Sequence, residues 1–382
     1  MNAKKKVCWI VANPLTIRFF LLDQIAAIGE NYDLTIITNA DDHTFLTSFG
    51  IHVRLIPVVI ERNVSPWRDL MALLRIVRIL KREKFDLVHT LSPKTGLLGM
   101  VAAWLVSVPF RVHVFQGEVW ATRKGLWRFF LKTLDKWMVR CATHLLVVSH
   151  SEEKFLVDQG VVPSGRLIML AGGSICGVDL NRFRPDAETR NEVRLKYNIA
   201  NDEKIILYVG RLTLDKGVLD LADSFTLLAA QYPKLQLLFV GPDEQGLQEK
   251  IFDRCPTHRS RIHFFGYSAN PERFMAASDM LCLPSYREGF GMVLIEAAAA
   301  GIPTIGSRIY GICDAVQDGV TGLLFCPGSV SDLTEKIRLL IDDTHLADNL
   351  GEAGKLRARH EFDKELVLKA LIGFYKSLLN PQ

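Results

Sequence analysis

The sequence predicts a two-domain α/β protein in which each domain is a parallel β-sheet covered by helices on both faces. Apolar strand-like runs alternate with amphipathic helical windows along almost the whole chain. The strand-like runs are apolar on both faces, as in parallel sheets buried between helices. A glycine-rich break interrupts this alternation near the middle of the 382 residues, and a chain of that length holds about two domains.

The first half supplies seven candidate strands separated mostly by helical windows. The predicted strands are residues 6–12, 33–38, 52–56, 86–90, 111–115, 144–149 and 167–170. The predicted helices include residues 15–28, 67–84, 96–106 and 125–141. Strands that alternate with helices indicate a parallel sheet.

The break lies at residues 171–178, where three of eight residues are glycine. The alternation then restarts, with predicted strands at residues 204–209, 235–240, 261–265, 279–284 and 304–306 and further helices between residues 330 and 379. We predict an N-terminal domain over residues 1–175, a C-terminal domain over 176–360, and a last helix, 361–382, that packs back on the first domain. A ligand is expected in the cleft between two such domains, at the carboxyl ends of the strands.

The composition excludes several classes of protein. With 49% hydrophobic and 23% charged residues, the chain is not disordered, collagen-like or a small disulfide scaffold. Its longest uncharged stretch, residues 95–110, is shorter than the roughly 20 apolar residues of a membrane-spanning helix. The basic start is expected to lead into a first strand rather than to form a signal peptide. Seven scattered cysteines without a Cys-x-x-Cys pair predict free thiols in a reducing compartment.

Charge is distributed unevenly. Residues 1–180 hold 22 Lys and Arg against 15 Asp and Glu, whereas residues 181–382 hold 24 against 27. Cations recur beside apolar residues in two helical windows of the basic half, at Lys124, Arg128, Lys132, Lys136 and Arg140 and at Arg68, Arg75, Arg78 and Arg82. This pattern is typical of helices on an anionic membrane surface, although the solvated face of an ordinary helix has the same pattern. A nucleic-acid partner is not expected, because no nucleic-acid-binding motif occurs.

Two motifs in the second half follow predicted strands. In the first, Gly210 ends a strand, and Arg211 and Lys216 precede a helix that is expected to begin near Gly217. Loop amides, a helix N-terminus and two cations together suit a diphosphate, and two solvated surface charges are the alternative.

The second motif holds two carboxylates around Gly-Phe-Gly. Glu288 lies in the loop, and Glu296 lies about one turn into the following helix, facing the same crevice. Two carboxylates suit a hydroxyl-rich ligand, because their oxygens accept hydrogen bonds from sugar hydroxyls. A weaker signal, Gly266 and Tyr267, follows another strand, where it would contact a nucleotide base or form an ordinary turn. The candidate binding residues are Gly210, Arg211, Lys216, Gly266, Tyr267, Glu288, Gly289, Phe290, Gly291, Met292, Val293 and Glu296.

Together the two motifs resemble those of family 4 of the retaining glycosyltransferases, which have the GT-B fold of two Rossmann-like domains facing across a cleft. The resemblance extends over nearly the whole chain. It implies that Arg211 and Lys216 bind the diphosphate of a nucleotide-sugar. It also implies that Glu288 contacts the donor sugar and that Glu296 binds the ribose. Residues 112–120 further resemble members that build lipid-linked O-antigen or capsule repeats.

The first domain departs from the family pattern. Asn13 stands in place of a glycine-rich loop after the first strand, and Gln116 stands where many relatives carry a histidine. His113 lies three residues earlier, where a core histidine is the alternative to a catalyst. The acceptor-side candidates are Asn13, His89, Lys94, His113, Gln116 and Gly117.

Glu118 completes the predicted catalytic set of Arg211, Lys216, Glu288 and Glu118. Its carboxylate would orient an acceptor hydroxyl or assist its deprotonation, and a surface pair with Arg123 or Lys124 is the alternative. Lys94 would meet a diphosphate on the acceptor. The chain has no Asp-x-Asp motif, so we expect no metal ion and no cofactor, with the nucleotide-sugar acting as a substrate.

The sequence thus predicts a retaining glycosyltransferase at the cytoplasmic face of the cell membrane. It would move a sugar from a nucleotide-diphospho-sugar, expected to be a UDP-sugar, to a polyprenyl-diphosphate-linked saccharide in surface polysaccharide synthesis. The alternatives are a soluble glycosyltransferase that acts on a small free acceptor and a catalytically silent nucleotide-sugar-binding subunit. The expected partners are the nucleotide-sugar, the lipid-linked saccharide and an anionic membrane surface.

Overall fold

A computed structural model describes residues 4–40, 44–61 and 64–380, which divide into two compact units. Unit 1 contains the described residues up to Cys176 and those from Glu365 onward, and unit 2 is Gly177–Lys364. Each unit is built on one parallel sheet, which confirms the predicted fold class.

Seven parallel strands form the sheet of unit 1, in the order β3-β2-β1-β4-β5-β6-β7. The strands are β1 (Lys6–Val11), β2 (Asp33–Thr38), β3 (Arg54–Pro57), β4 (Leu87–Leu91), β5 (Phe110–Phe115), β6 (His144–Val147) and β7 (Leu167–Met169). All seven correspond to predicted strands, and most boundaries differ from the prediction by one or two residues.

The helices of unit 1 connect these strands. In chain order they are α1 (Pro14–Thr16), a π-helical turn (Ile17–Leu21), α2 (Leu22–Asn31), a 3₁₀ turn (Thr47–Phe49), α3 (Pro66–Glu83), α4 (Pro93–Leu105), α5 (Gly125–Cys141) and α6 (His150–Asp158). Helix α4 packs between α3 and α5. Helix α5 has the predicted bounds.

Six parallel strands form the sheet of unit 2, in the order β10-β9-β8-β11-β12-β13. The strands are β8 (Lys204–Val209), β9 (Leu235–Val240), β10 (Ile262–Phe264), β11 (Met280–Leu283), β12 (Thr304–Ser307) and β13 (Leu323–Phe325). The edge strand β13 was missing from the predicted set. It has three residues, Leu323–Phe325, all of them buried.

The helices after the first unit's β7 are distributed over both units. They are α7 (Ala187–Lys196), a 3₁₀ turn (Leu214–Lys216), α8 (Val218–Ala229), α9 (Gln248–Arg254), a 3₁₀ turn (Arg259–Arg261), α10 (Pro271–Ala277), α11 (Met292–Ala299), α12 (Ile312–Ala315), α13 (Val330–Asp342), α14 (Thr344–Glu361) and α15 (Lys364–Leu379). Helix α15 folds with unit 1, where Tyr375 is fully buried and its hydroxyl oxygen accepts a hydrogen bond from Trp9 Nε1 at 2.8 Å.

The strand order of each sheet reverses at one place. Strand β1 lies between β2 and β4, and strand β8 lies between β9 and β11. In parallel sheets, ligand sites lie at the carboxyl ends of strands beside such a reversal. In unit 2 these strands are β8 and β11, which the two sequence motifs follow.

Two further sequence expectations concern the whole chain. All seven cysteines are free thiols, as predicted. None of the helices in the described ranges combines the length and the apolar character that crossing a membrane requires.

Candidate functional site

The first motif of unit 2 joins strand β8 to helix α8. Arg211 lies in the loop after the strand, and the 3₁₀ turn Leu214–Lys216 leads to Gly217, which caps the helix. Gly217 has a φ of +66°, and a Cβ atom there would lie 2.0 Å from the carbonyl oxygen of Pro284. Only glycine avoids that overlap, so Gly217 lets this loop lie directly against the second motif.

The second motif joins β11 to α11 in the same way. Gly291 caps α11, which begins at Met292 and contains Glu296, as predicted. The first amides of that helix, including those of Met292 and Val293, cannot be satisfied within the helix itself. The ring of Phe290 is buried and packs edge-on against Phe362, with 5.3 Å between ring centroids. Phe290 can therefore offer a ligand its backbone but not its ring.

Hydrogen bonds and ion pairs hold the two motif loops together. The Tyr286 amide donates to the carbonyl oxygen of Asp215 at 2.9 Å, and the Arg287 guanidinium lies 3.4 Å from the Asp215 carboxylate. The Tyr286 hydroxyl also donates to Asp220 on α8. The site is thus a single rigid cluster made from two strand ends.

Lys216 and Glu288 form an ion pair at the centre of this cluster. Ser285 Oγ donates to the same oxygen of Glu288 at 2.9 Å. The side chains are only 14% and 17% exposed, so the pair is largely removed from solvent. Lys216 is therefore not the solvated surface charge that the alternative required. An anionic ligand group that displaced Glu288 would accept a charge-assisted hydrogen bond from the ammonium.

Arg211 has a different partner. Its guanidinium pairs with the carboxylate of Glu244 at 2.8 Å, and both side chains are about one third exposed. Its main-chain oxygen accepts a hydrogen bond from the buried Tyr208 hydroxyl at 2.8 Å. The structure therefore joins Lys216 to Glu288 and pairs the other predicted cation, Arg211, with Glu244 in a partly exposed contact, which contributes little.

Glu296 lies in the second turn of α11 and is partly buried. Burial raises its pKa to about 7, the charge of Arg182 opposes that rise, and the charge of Glu272 adds to it. Arg182 donates through Nε to Glu272 at 2.9 Å and through its terminal nitrogen to the carbonyl oxygen of Ala269 at 2.6 Å. A carboxylate with a raised pKa in a partly buried position is suited to accept hydrogen bonds from an incoming polar ligand.

The weaker signal lies just beyond β10. A Cβ atom at Gly266 would meet open space, and the carbonyl oxygen of Gly266 accepts a hydrogen bond from the Gly241 amide at 2.7 Å. Tyr267 is about half exposed. The loop is therefore accessible, and its contact with a base remains a prediction.

In unit 1, two acceptor-side candidates lie after strands β1 and β4. Asn13 caps α1, where its side-chain oxygen accepts a hydrogen bond from the Leu15 amide at 2.9 Å. Lys94, in the first turn of α4, pairs with Asp69 of α3 at 2.6 Å. Both residues thus stand at the carboxyl ends of the strands beside the reversal, as predicted, although the ammonium of Lys94 is neutralised by its neighbour.

The two histidine candidates are core residues. His113 Nδ1 lies 2.9 Å from Thr90 Oγ1, and His89 Nδ1 lies 2.6 Å from the Tyr375 hydroxyl. Both rings are almost completely buried, and burial lowers the pKa of each to about 3. Neutral rings enclosed by protein have no access to a bound acceptor. The structure therefore supports the core alternative for His113 and corrects the prediction of His89 as an acceptor-side residue.

Residues 116–121 form a loop after β5 that contains the other acceptor-side candidates. Gln116 Nε2 is buried and has no hydrogen-bond partner among the described residues. The Gly117 amide donates to the buried carboxylate of Glu152. Glu118 is only 2% exposed, so the alternative of a surface pair with Arg123 or Lys124 is wrong.

Two family models match the chain. The model for glycosyl transferases group 1 matches residues 189–357, and the model for the glycosyl transferase 4-like domain matches residues 20–173. The chain is a glycosyltransferase. The group 1 match includes both motif loops, and the 4-like match includes the loop 116–121, so the predicted family and the prediction of an enzyme are confirmed.

Similar proteins agree with this family. CapM of Staphylococcus aureus, a capsular polysaccharide biosynthesis glycosyltransferase, is 29% identical over 325 residues that cover 84% of each chain. The UDP-Gal:alpha-D-GlcNAc-diphosphoundecaprenol alpha-1,3-galactosyltransferase of Escherichia coli is 27% identical over 74% of this chain and 73% of that protein. HepE of Anabaena, solved in complex with UDP and glucose, superposes with a TM-score of 0.80 at 19% identity and covers 98% of this chain and 100% of that chain. The fold of this glycosyltransferase is therefore GT-B.

The basic face of α5 in this glycosyltransferase is partly turned inward. Arg128 and Lys132 lie over the ring of Trp120, at 5.5 and 5.6 Å from its centroid, and both donate to Gln159 Oε1. The exposed part of the helix is aromatic and aliphatic as well as basic. Its exposed apolar residues are Leu126, Trp127, Phe129, Phe130 and Trp137, and those of α3 are Trp67, Leu70, Met71 and Leu74.

Sequence reasoning missed several residues of the two sites. Asp215 and Ser285 organise the motif loops, Arg182 lies near Glu296, and Glu152 holds Gly117. The sequence could have indicated Asp215, because it lies between the two cations of the first motif. The others become visible only when the chain is folded. Within the described residues, no group of three or more His, Cys, Asp or Glu is placed to hold a metal ion.

Proposed function

We propose that this glycosyltransferase moves a sugar, with retention of anomeric configuration, from a UDP-sugar to a polyprenyl-diphosphate-linked saccharide at the cytoplasmic face of a membrane. The observation that carries the proposal is the Lys216–Glu288 pair, which is largely removed from solvent and follows strands β8 and β11. It places a cation for a phosphate beside a carboxylate for a sugar hydroxyl. UDP appears in the names of both the galactosyltransferase relative and the HepE complex, which supports this donor class.

In the proposed donor complex, Lys216 and Arg211 bind the diphosphate, together with amides at the start of α11. Both cations would exchange a carboxylate partner for oxygens of a diphosphate that carries two negative charges. Glu288, released from Lys216, accepts hydrogen bonds from the sugar, and Glu296 accepts them from the ribose. This division of roles is the one that the resemblance to the family implies.

The proposed reaction is a substitution at the anomeric carbon of the donor sugar. The bond from that carbon to the β-phosphate oxygen breaks, and a bond to the acceptor hydroxyl oxygen forms on the same face. The leaving diphosphate takes the proton of the hydroxyl. Negative charge grows on the diphosphate as the bond breaks, and the fixed cations Lys216 and Arg211 stabilise it there. We propose that these cations replace a metal ion, and activity in excess EDTA tests this.

The proposed acceptor is a saccharide on polyprenyl diphosphate, as in the name of the galactosyltransferase relative. Unit 1 would bind it at the carboxyl ends of its strands, near Asn13 and the loop 116–121. Glu118 is our candidate for orienting the acceptor hydroxyl. Glu118 is buried, so this role requires a movement of the loop that brings its carboxylate to the surface.

The proposed membrane location rests on α3 and α5. Helix α5 exposes Leu126 at 88% and Phe129 at 72%, and α3 exposes Trp67 at 72%. The only acidic residue of α5, Asp135, is buried, so the exposed face of that helix carries cations and apolar groups but no carboxylate. A helix of this composition binds at the interface of an anionic bilayer without crossing it.

A donor panel tests the proposed reaction. Purified protein is incubated with UDP-sugars and matching GDP-sugars, a short-chain polyprenyl-diphosphate saccharide, anionic vesicles and excess EDTA. We expect transfer from one UDP-sugar, and the anomeric proton coupling of the product should show the configuration of the donor. An inverted product, a GDP-sugar as the preferred donor, or loss of activity in EDTA would each contradict one part of the proposal.

A further inference from the structure

The loop 116–121 is held by buried carboxylates from two different helices. Glu152 of α6 accepts a hydrogen bond from the Gly117 amide, near the start of the loop. Asp135 of α5 accepts one from Trp120 Nε1 at 2.6 Å, near its end. All four residues are buried, so both contacts are shielded from competing water.

Glu152 does more than cap its own helix. It is the third residue of α6 after the cap Ser149, whose side chain accepts a hydrogen bond from the Glu152 amide. In an ordinary capping box this glutamate turns back to the helix start. Here one oxygen accepts from the Val148 amide at 3.3 Å, and the other leaves the helix to reach Gly117. Gly117 has a φ of +90°, a conformation that the Glu152 contact helps to hold.

Asp135 fixes the other end of the loop through Trp120. The indole stacks on Phe155 of α6, with 5.3 Å between ring centroids and 16° between ring planes, and Arg128 and Lys132 of α5 lie over it. Burial raises the pKa of Asp135 to about 6 although the indole hydrogen bond opposes that rise. An apolar residue would avoid this cost of burial, so the carboxylate is retained where it orients the indole.

Glu118 lies between the two fixed points. It is almost completely buried, whereas its neighbour Val119 is partly exposed. With Gly117 and Trp120 held, the two residues between them have little freedom, so the anchors set where the Glu118 carboxylate and the adjacent backbone lie. Small errors in such placement are costly for a group that must orient a hydroxyl.

We propose that Glu152 and Asp135 are positioning residues that hold the loop 116–121 in the shape that binds the acceptor. This inference rests on the proposed function, in which that loop is part of the acceptor site. Loss of either anchor should loosen the loop and weaken acceptor binding. It should leave UDP binding unchanged, because the donor residues belong to unit 2.

The test compares Glu152→Ala and Asp135→Ala with conservative and control variants. Asp135→Asn keeps an oxygen that accepts from the indole and should restore the loop. Trp120→Phe keeps the stack on Phe155 but removes the donor, so it should behave like Asp135→Ala. Glu153→Ala is the matched control, because Glu153 is the partly exposed neighbour of Glu152 on the same helix.

Three measurements are made on each folded variant. Hydrogen–deuterium exchange follows peptides that contain residues 115–122, steady-state kinetics give the acceptor KM and kcat, and calorimetry gives the affinity for UDP. For both alanine variants we expect at least tenfold faster exchange in the loop, a tenfold or greater rise in acceptor KM, and a UDP affinity within twofold of wild type. If Glu152→Ala does not fold, Glu152→Gln tests the same anchor, because its single amide oxygen can accept from only one of the Val148 and Gly117 amides. Trp120→Phe and Asp135→Ala test the other anchor.

The acceptor KM is measured with whichever saccharide the wild type uses, lipid-linked or free. A wild type that uses only free saccharides would overturn the proposed function and still permit the comparison. The positioning role would be overturned by any of three results. These are unchanged hydrogen exchange in the loop, an unchanged acceptor KM despite faster exchange, and a loss of UDP affinity as large as the rise in acceptor KM. If the two carboxylates had a purely structural role, their loss would lower the melting temperature and would not change the acceptor KM more than the UDP affinity.

Discussion

At the scale of single residues, the donor-side chemistry centres on one ion pair. Lys216 and Glu288 contact each other, and Ser285 supports the glutamate. An isolated buried charge is costly, so each partner keeps the other in place until a ligand arrives. In the proposed donor complex, this pair would supply the cation for a phosphate and the carboxylate for a sugar hydroxyl.

Replacing Lys216 by methionine should lower kcat about 100- to 1,000-fold, or about 3–4 kcal/mol, because the leaving diphosphate loses a fixed cation in a shielded position. Steady-state kinetics at saturating acceptor measure the effect. Lys234→Met is the matched control, since that lysine forms an exposed pair with Asp202 in the same unit. A folded Lys216→Met enzyme with wild-type turnover would remove Lys216 from the mechanism.

The UDP affinity should depend on pH through Glu296. Burial raises the pKa of this carboxyl to about 7, above its ordinary value of 4.5, so the free protein is protonated there as the pH falls through 7. Ribose hydroxyls bind the ionised form better, so UDP affinity should fall as the pH is lowered from 8 to 6. In Glu296→Gln this contribution should vanish.

Calorimetry of wild type and Glu296→Gln across that pH range separates the effect of the Glu296 titration on UDP affinity from that of the UDP phosphate titration. The UDP phosphate titrates in the same way with both proteins, so their difference isolates the carboxyl. We expect the difference to be largest at pH 8 and to shrink toward pH 6. Parallel pH profiles for the two proteins would exclude an ionised Glu296 from nucleotide binding.

At the scale of elements, the sequence predicted long periodic segments best. Helix α5 and strands β8 and β9 have the predicted bounds, because the hydrophobic pattern of each one extends over its whole length in the sequence. Strand β13 was not predicted, although β7 and β10, which also have three residues, were. The donor motifs were predictable for a local reason, since each lies within one strand–loop–helix segment.

The unit 1 site was harder to predict, because its contacts join distant segments. His113 meets Thr90 across neighbouring strands, and Glu152 reaches Gly117 over 35 positions. Glu118 was expected either in the site or at the surface, and burial excludes the surface alternative. No spacing rule in the sequence could anticipate these pairings.

The contacts of α5 within unit 1 determine which of its cations can be substituted in a test of membrane binding. Arg128 and Lys132 contact Trp120 and Gln159, so reversing their charge would disturb the loop 116–121 as well as any membrane contact. Exposed cations at either end of the helix are better targets. These are Arg123, Lys124 and Arg140.

Glutamate at Arg123, Lys124 and Arg140 together should abolish binding to anionic vesicles at low salt. Each cation contributes about 1 kcal/mol near such a surface, so removing three should weaken binding by at least about 100-fold. Sedimentation with vesicles measures it, and the control carries glutamate at the exposed Lys196, Lys234 and Lys250 of unit 2. Equal binding by both triple variants would show that α5 does not dock, and no binding by wild type would refute the membrane location.

At the scale of the whole molecule, charge and chemistry are divided between the two halves of the chain. The basic half contains α3, α5 and the acceptor-side candidates, whereas the slightly acidic half contains both donor motifs. An anionic surface would attract the first and not the second. A lipid-linked acceptor would account for this division, because its lipid lies in the membrane and its diphosphate is anionic.

The measurement that tests this account most directly compares one saccharide in two forms. The saccharide is offered on a short polyprenyl diphosphate and as the free reducing sugar, with the same UDP-sugar donor and in the presence of anionic vesicles. We expect kcat/KM to be at least about 100-fold higher for the lipid-linked form, a difference of about 2.7 kcal/mol in transition-state stabilisation. Equal or better transfer to the free sugar would contradict the account and identify an enzyme that acts on small free acceptors.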